Sequence, residues 1–166
     1  GRSMFVEFRG VRSRCRKVKQ GVPQGGVLSP ALFNLYMSPL PLPPDDTTVV
    51  TYADDITILR TGSNLDTITD HLNIYLDHLQ EWLTGRNLLL SAEKSTASLF
   101  TTWTKEVGRQ LKIAVAGVPL PTVPTPKILG VTFDPLLTFH RHAQATGARV
   151  GQRINVLKAL AGTAWG

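Results

Sequence analysis

Apolar and polar positions change period several times along the chain, and each change marks an element. Phe5, Val6, Phe8, Val11 and Val18 alternate loosely among basic residues, which predicts one or two short strands over 5–19. Gln20-Gly21-Val22-Pro23-Gln24-Gly25-Gly26 reads as a loop, because Gly and Pro break both regular structures. Ser29-Pro30 opens a helix, with Ser as N-cap and Pro at the first helical position. Ala31, Leu32, Phe33, Leu35, Tyr36 and Met37 continue it until Pro39, Pro41, Pro43 and Pro44 end it. Thr47–Tyr52 and Ile56–Leu59 are β-prone runs around a short polar turn, the pattern of a hairpin. From 65 to 83 the apolar residues fall at 65, 68, 72, 75, 76, 79, 82 and 83. That is one helical face, bounded by Ser63 or Asn64 in front and Gly85 behind. Leu88–Leu90, Ser95–Thr101, Leu111–Val115 and Lys127–Phe133 read as further short strands, the last two separated by a Pro-rich turn from Gly117 to Pro126. His140 to Leu160 is helical in pattern, interrupted by Gly147 and Gly151. The elements predict an α/β or α+β fold with an antiparallel sheet and packed helices.

Composition narrows the class. Of 166 residues, 42% are hydrophobic and 18% charged, too apolar for a disordered chain. No run of about 18 apolar residues suits a membrane span, and no signal peptide is visible. The single cysteine, Cys15, excludes an internal disulfide framework and a Cys-based zinc site, and fits a reducing intracellular compartment.

The net charge of +6 is unevenly placed. Residues 1–20 hold seven basic side chains against Glu7. Residues 45–81 hold eight acids against Arg60. Residues 82–166 hold ten basic residues against Glu93, Glu106 and Asp134. An acidic centre between basic flanks suits a metal site that works on a polyanion, although solvated faces that segregate by chance give the same pattern.

Asp54-Asp55 lies at the expected hairpin tip. Two adjacent carboxylates oppose each other's ionisation, and a hard divalent cation relieves that conflict through oxygen ligands. The plainer reading of an Asp-Asp pair is a turn, where Asp is common.

The neighbours extend the signature. Tyr52-Ala53-Asp54-Asp55 resembles the Tyr-X-Asp-Asp box of reverse transcriptases. Gln20-Gly21-Val22-Pro23-Gln24-Gly25-Gly26-Val27-Leu28-Ser29-Pro30 resembles the block that precedes that box in non-LTR (LINE-type) retrotransposon polymerases. Leu88 to Lys94 resembles the next, lysine-bearing block, and Lys127-Ile128-Leu129-Gly130-Val131 resembles the hairpin at the palm–thumb junction. The four blocks occur in the family's order over roughly residues 5–160.

The resemblance implies a right-hand polymerase, with residues 1–135 as partial palm and 136–166 as the start of the thumb helices. It implies RNA-directed DNA synthesis: nucleotidyl transfer to a primer 3′-hydroxyl with two Mg²⁺ (or Mn²⁺) ions. Its partners would be an RNA template, a DNA primer and deoxynucleoside triphosphates. Target-primed copying in this family places the work in the nucleus. By motif match Asp54 and Asp55 are metal ligands and catalytic, with Asp54 the more important. Tyr52 would support the primer end. Pro23, Gln24 and Gly25 would border nucleotide and template, and Lys94 would lie near the phosphates as a proton donor to pyrophosphate.

The family pattern also needs a carboxylate from an earlier palm strand. Residues 1–19 contain no Asp, and their sole acid is Glu7. The expectation is a fragment with little or no polymerase activity by itself. Two alternatives stand beside it: a non-catalytic nucleic-acid-binding relic, and another Asp/Mg-dependent phosphate enzyme such as a nuclease. The second leaves the 20–30 block unexplained.

Other features read more plainly. His71, His78, His140 and His142 have no metal-ligand spacing. Trp82 belongs to the core face of its helix, while Trp103 and Trp165 are candidate stacking platforms. The cluster from Arg9 to Lys19 is a candidate phosphate grip, and Cys15 is incidental.

Overall fold

A computed structural model describes residues 2–161 of the chain, with a mixed α+β architecture. In chain order the elements are β1 (Arg2–Met4), β2 (Glu7–Phe8), β3 (Val11–Arg12), β4 (Arg16–Val18), α1 (Ser29–Met37), β5 (Thr47–Tyr52), β6 (Asp55–Arg60), α2 (Leu65–Gly85), β7 (Ala114–Val115), β8 (Val118–Pro119), β9 (Lys127–Ile128), β10 (Val131–Thr132) and α3 (His140–Leu160). The strands of the described residues form five two-stranded sheets, where the pattern had suggested a single antiparallel sheet. The chain separates into two compact units, Gly1–Leu59 and Arg60–Gly166.

In the first unit, residues 2–18 fold back as one antiparallel ribbon. Near its tip Phe8 faces Val11 and Glu7 faces Arg12. Near its base Met4 faces Arg16, Ser3 faces Lys17 and Arg2 faces Val18. Between them, the Ser13 N–H donates to the Val6 carbonyl at 2.8 Å. Phe5 is left opposite two residues, Arg14 and Cys15, so the returning strand carries a one-residue bulge. The Ser13 hydroxyl accepts the Val6 N–H at 2.9 Å, taking a place that a backbone carbonyl fills in a regular ladder.

The bulge decides which side chains share a face. Val11 and Val18 lie seven apart, and strict alternation would put them on opposite faces. With one extra residue between them, both join Met4, Val6 and Phe8 on one face, together with Arg2 and Arg16. Ser3, Phe5, Glu7, Arg12 and Lys17 take the other. The ribbon has no second layer in this unit, and among the unit's described residues no apolar side chain is buried.

The second unit holds the core. Asn64 caps α2, its side-chain oxygen accepting the N–H groups of Asp66 at 3.0 Å and Thr67 at 3.1 Å. Tyr75, Leu79 and Leu83 are buried along the helix. Leu72 and Leu76 pack against the buried cluster of Ile113, Val115 and Leu120. Asn73 fixes the register of helix against strand. Its side-chain amide donates to the Lys112 carbonyl at 2.8 Å and accepts the Ala114 N–H at 3.0 Å. The helix ends with Leu88 N–H on Leu83 C=O and Asn87 N–H on Thr84 C=O, and Asn87 is left-handed at φ +57°. That is a Schellman exit. Asn87 therefore makes the stop, while Gly85 remains the last helical residue.

Several expected strands take other forms. Leu88–Leu90 forms no strand; it is the chain leaving the Schellman turn, with Leu90 packed on the core. Ser95–Thr101 is reduced to a single parallel bridge between Ala97 and Thr122. The facing segment carries Pro121, Pro124 and Pro126, which have no N–H to extend a ladder. The Pro-rich stretch after Gly117 contributes β8, paired with β7. Lys127–Phe133 is a tight hairpin, β9–β10, with Val131 opposite Ile128.

Three hairpins turn on the same device. Arg9-Gly10 (φ +49° and +78°), Ala116-Gly117 (+51° and +74°) and Leu129-Gly130 (+46° and +87°) all hold both central residues at positive φ. That is the requirement of a type I′ turn, whose twist matches the strands. No helix of the described residues is long and apolar enough to cross a membrane.

Candidate active site

The β5–β6 hairpin departs from that device. Its two-residue turn is Ala53-Asp54, with no glycine. Ala53 sits at φ +52°, and Asp54 is not among the positive-φ residues. A positive φ at the first central position alone is the type II′ pattern, which favours Gly there. Ala in the left-handed region costs about 1–2 kcal/mol. Tyr52 ends β5 and Asp55 begins β6, so these two residues close the turn. Tyr52 is 64% exposed, and both carboxylates are exposed. The result is a short, strained corner that offers two adjacent carboxylates and an aromatic ring to solvent.

The loop bearing Pro23, Gln24 and Gly25 stands in the same unit. The Gly26 N–H donates to the Pro23 carbonyl at 3.1 Å, closing a β-turn with Gln24 and Gly25 at its centre. Gly25 lies at φ +79°, which the third position of a type II turn demands. The Ser29 hydroxyl donates to the same carbonyl at 2.6 Å. Ser29 was expected to be the N-cap of α1. Instead it is the first helical residue and is buried, Leu28 precedes it without a side-chain cap, and its hydroxyl ties the helix start back to the loop. Arg2 reinforces the loop through a guanidinium contact on the Gly21 carbonyl. Gln24 is thereby presented, exposed, on a braced turn.

Lys94 belongs to the second unit. It ends the one-turn 3-10 helix Ala92–Lys94 and is exposed. Among the described residues no three His, Cys, Asp or Glu side chains come together as a metal site. As oxygen donors, Asp54 and Asp55 fit a hard cation, and as a pair they are an incomplete ligand set for one.

The remaining polar candidates are structural. His142 Nδ1 accepts the Thr132 N–H at 3.2 Å, and His71 Nδ1 lies 2.5 Å from an Arg60 guanidinium nitrogen. Trp82 is half-buried beneath the Arg86 guanidinium, 4.4 Å from the ring centroid. Trp103 is exposed, Cys15 is exposed in the ribbon's bulge, and Trp165 lies outside the described residues.

One residue gave no signal of its own in the sequence. Asp134, 8% exposed, accepts the N–H groups of Leu136, Thr138 and Phe139 and the Thr138 hydroxyl, at 3.2, 3.0, 2.7 and 3.0 Å. Its pKa is pushed below the ordinary carboxylate value, first by the Thr138 N–H, with burial opposing it, and then by the Thr138 hydroxyl and the Phe139 and Leu136 N–H groups. Donors in a tight loop two to five residues downstream are not legible as a spacing motif.

Comparison with known proteins shows the family. Residues 2–133 match the family model described as reverse transcriptase (RNA-dependent DNA polymerase). The chain is 34% identical over 149 residues to a Drosophila funebris protein named RNA-directed DNA polymerase from mobile element jockey, covering 86% of this chain and 16% of that relative. It is 33% identical over 166 residues to a Drosophila melanogaster protein named probable RNA-directed DNA polymerase from transposon BS, covering 96% of this chain and 18% of that one. A third similar protein, from transposon X-element of Drosophila melanogaster, is 30% identical over 162 residues, which cover 95% of this chain and 17% of the relative. The chain thus spans about a sixth of the length of these relatives. No solved structure matches.

Proposed function

The chain belongs to the reverse transcriptase (RNA-dependent DNA polymerase) family, and from that premise we propose that it is the Asp-Asp-bearing palm segment of a non-LTR retrotransposon polymerase. Residues 1–135 are palm in this reading and 136–166 begin the thumb. The observation that carries it is the strained Ala53-Asp54 corner, which places two adjacent carboxylates beside Tyr52.

Asp54 and Asp55 would hold Mg²⁺ or Mn²⁺ together with a carboxylate supplied by another strand of the palm. When bound, such ions activate a primer hydroxyl and neutralise triphosphate charge. The protein's part is positioning. Tyr52 offers its exposed ring to the primer end. The Pro23–Gly26 turn brings Gln24 and a side-chain-free Gly25 to the template and nucleotide, where a bare backbone permits close approach. Lys94 supplies positive charge for the leaving phosphates. The partners are an RNA template, a DNA primer and deoxynucleoside triphosphates. Residues 1–166 alone are not expected to extend a primer.

The test is Mn²⁺ titration of the full 166-residue chain, read by amide NMR. Paramagnetic broadening centred on residues 52–56, lost in Asp54→Asn and weakened in Asp55→Asn, supports the reading. Broadening spread evenly over all exposed carboxylates overturns it. The absence of a converging third ligand among the described residues favours one other reading, a nucleic-acid-binding module without catalysis. The same titration separates the two, because that module has no preferred metal position at the hairpin.

A further inference from the structure

The bulge leaves basic residues on both faces of the ribbon. Met4, Val6, Phe8, Val11 and Val18 share one face with Arg2 and Arg16, and Phe5 shares the other with Glu7, Arg12 and Lys17. On that second face Arg12 lies over the Phe5 ring, 4.8 Å from its centroid, and is held there by Glu7 at 2.7 Å. Residues 1–20 carry seven basic side chains and one acid, and that acid is engaged by Arg12.

We infer that this Phe5–Arg12–Lys17 face of the ribbon is a contact surface for single-stranded RNA. A guanidinium held over an aromatic ring offers its far side to a third π-system. Unpaired nucleobases stack on such planes, while neighbouring cations take the phosphates. Lys17 lies on the same face, and Arg14 stands in the bulge opposite Phe5. Duplex nucleic acid keeps its bases stacked inside and cannot use the ring–guanidinium pair, so the surface discriminates for unpaired strands. The inference rests on the polymerase reading for the identity of the strand, an RNA template. The face is selected by its ring contact: Glu7 holds Arg12 at 4.8 Å from the Phe5 centroid, whereas on the opposite face Arg9 lies farther from Phe8, at 5.4 Å.

The test uses the full chain and a fluorescein-labelled oligouridine of about twelve nucleotides, within the range of single-strand site sizes, followed by anisotropy from low to moderate salt. Phe5→Leu keeps apolar volume but removes the ring, and is expected to weaken binding about five-fold or more with an unchanged salt slope. Phe8→Leu, the matching change on the opposite face where Arg9 lies 5.4 Å over the ring, is expected to stay within about two-fold, since that face does not carry the strand. Arg12→Lys keeps the charge and is expected to weaken binding with the slope retained. Arg12→Ala is expected to weaken binding more than Arg12→Lys, because it loses the charge as well as the stacking plane. Matched unfolding midpoints establish that each variant is folded.

Equal effects of Phe5→Leu and Phe8→Leu overturn the inference. So does duplex RNA binding as tightly as oligouridine, or phosphatidylserine vesicles displacing the RNA in a Phe5-dependent manner. Mn²⁺ broadening at residues 52–56 is recorded on the same samples. Broadening that persists while Phe5→Leu changes nothing sinks the ribbon surface and leaves the polymerase reading standing. A Phe5 effect without broadening does the reverse.

Discussion

Thr138 donates to Asp134 twice, from its backbone N–H and from its hydroxyl, both at 3.0 Å. That pair organises the five residues that follow Asp134 and lead into α3. Leu137 at φ +55° and Phe139 at +59° are both left-handed, and Phe139 occupies the cap position of α3 without a side-chain cap of its own. Phe139 also packs on Phe133, with ring centroids 5.5 Å apart, and Phe133 on Phe100 at 6.1 Å. The ionised carboxylate thus holds together a loop whose backbone is otherwise unfavourable, at the point where a long helix departs.

This arrangement predicts a direction of pH dependence. The folded-state pKa of Asp134 lies below its ordinary value of 3.8, so folding is favoured by its ionised form. The stabilisation is fully present above that ordinary value and is lost as pH falls through the folded pKa. Thermal unfolding followed downward from about pH 6, above the ordinary carboxylate range, is expected to show an acid limb that is flattened in Asp134→Asn. A variant profile parallel to the wild type would remove the carboxylate from this role.

Ala53 supplies a second prediction. Left-handed alanine costs about 1–2 kcal/mol, and glycine takes that conformation without steric penalty. Glycine also has more freedom to lose on folding. The net expectation for Ala53→Gly is a hairpin stabilised by up to about 1 kcal/mol, read as greater amide protection of β5 and β6. Reduced protection would mean that the turn does not hold Ala53 at positive φ.

The long apolar face of α2 and the paired β-runs around Asp54 were legible because their periods are unbroken and their ends carry strong signals, Asn64 among them. The four motif blocks were legible as short local strings. The ribbon was only half legible, because the bulge at Arg14 and Cys15 shifts the alternation by one and makes Val11 and Val18 look like opposite faces. The type I′ turns were missed for a related reason. Arg, Ala and Leu stand before Gly10, Gly117 and Gly130 where Asn or Asp would signal the turn. Ser29 was read as a cap because local preference says so, and the Pro23 carbonyl six residues back competes for its hydroxyl. The strand expected at Ser95–Thr101 failed on the composition of its partner rather than its own. The Ser29 and Ser95–Thr101 misses were each set by a contact outside the local window.

The core of the second unit gives a third prediction. Leu79 is 0% exposed, so Leu79→Ala is expected to cost about 2–5 kcal/mol through lost burial and the remaining cavity. Asn73→Ala removes the hydrogen bonds from α2 to the Lys112 carbonyl and to Ala114 of β7 and strands the Ala114 N–H, at a cost of about 1–3 kcal/mol. The two should be told apart by hydrogen exchange. Asn73→Ala is expected to expose Ala114 and Val115 selectively, whereas Leu79→Ala lowers protection across α2. Uniform loss in both would refute the clamp.

Two adjacent glycines of the Gln24 loop should fail for different reasons. At Gly25 a new Cβ meets nothing within 4 Å, but the residue sits at φ +79°; Gly25→Ala therefore carries only the left-handed cost of about 1–2 kcal/mol. At Gly26 a new Cβ would lie 2.7 Å from Ser29 Oγ and 3.2 Å from the Pro23 carbonyl oxygen. Gly26→Ala must push the Ser29 hydroxyl out of its 2.6 Å bond to Pro23 and so detach the loop from α1. Adding Ser29→Ala removes the worse clash and leaves the 3.2 Å contact with Pro23. The double variant Gly26→Ala/Ser29→Ala is expected to lie closer to Ser29→Ala alone than additivity predicts. The measurement is unfolding free energy across the cycle, with amide protection at Gly25 and Gly26 as the local readout. Strict additivity would show that Ser29 does not brace the turn that presents Gln24.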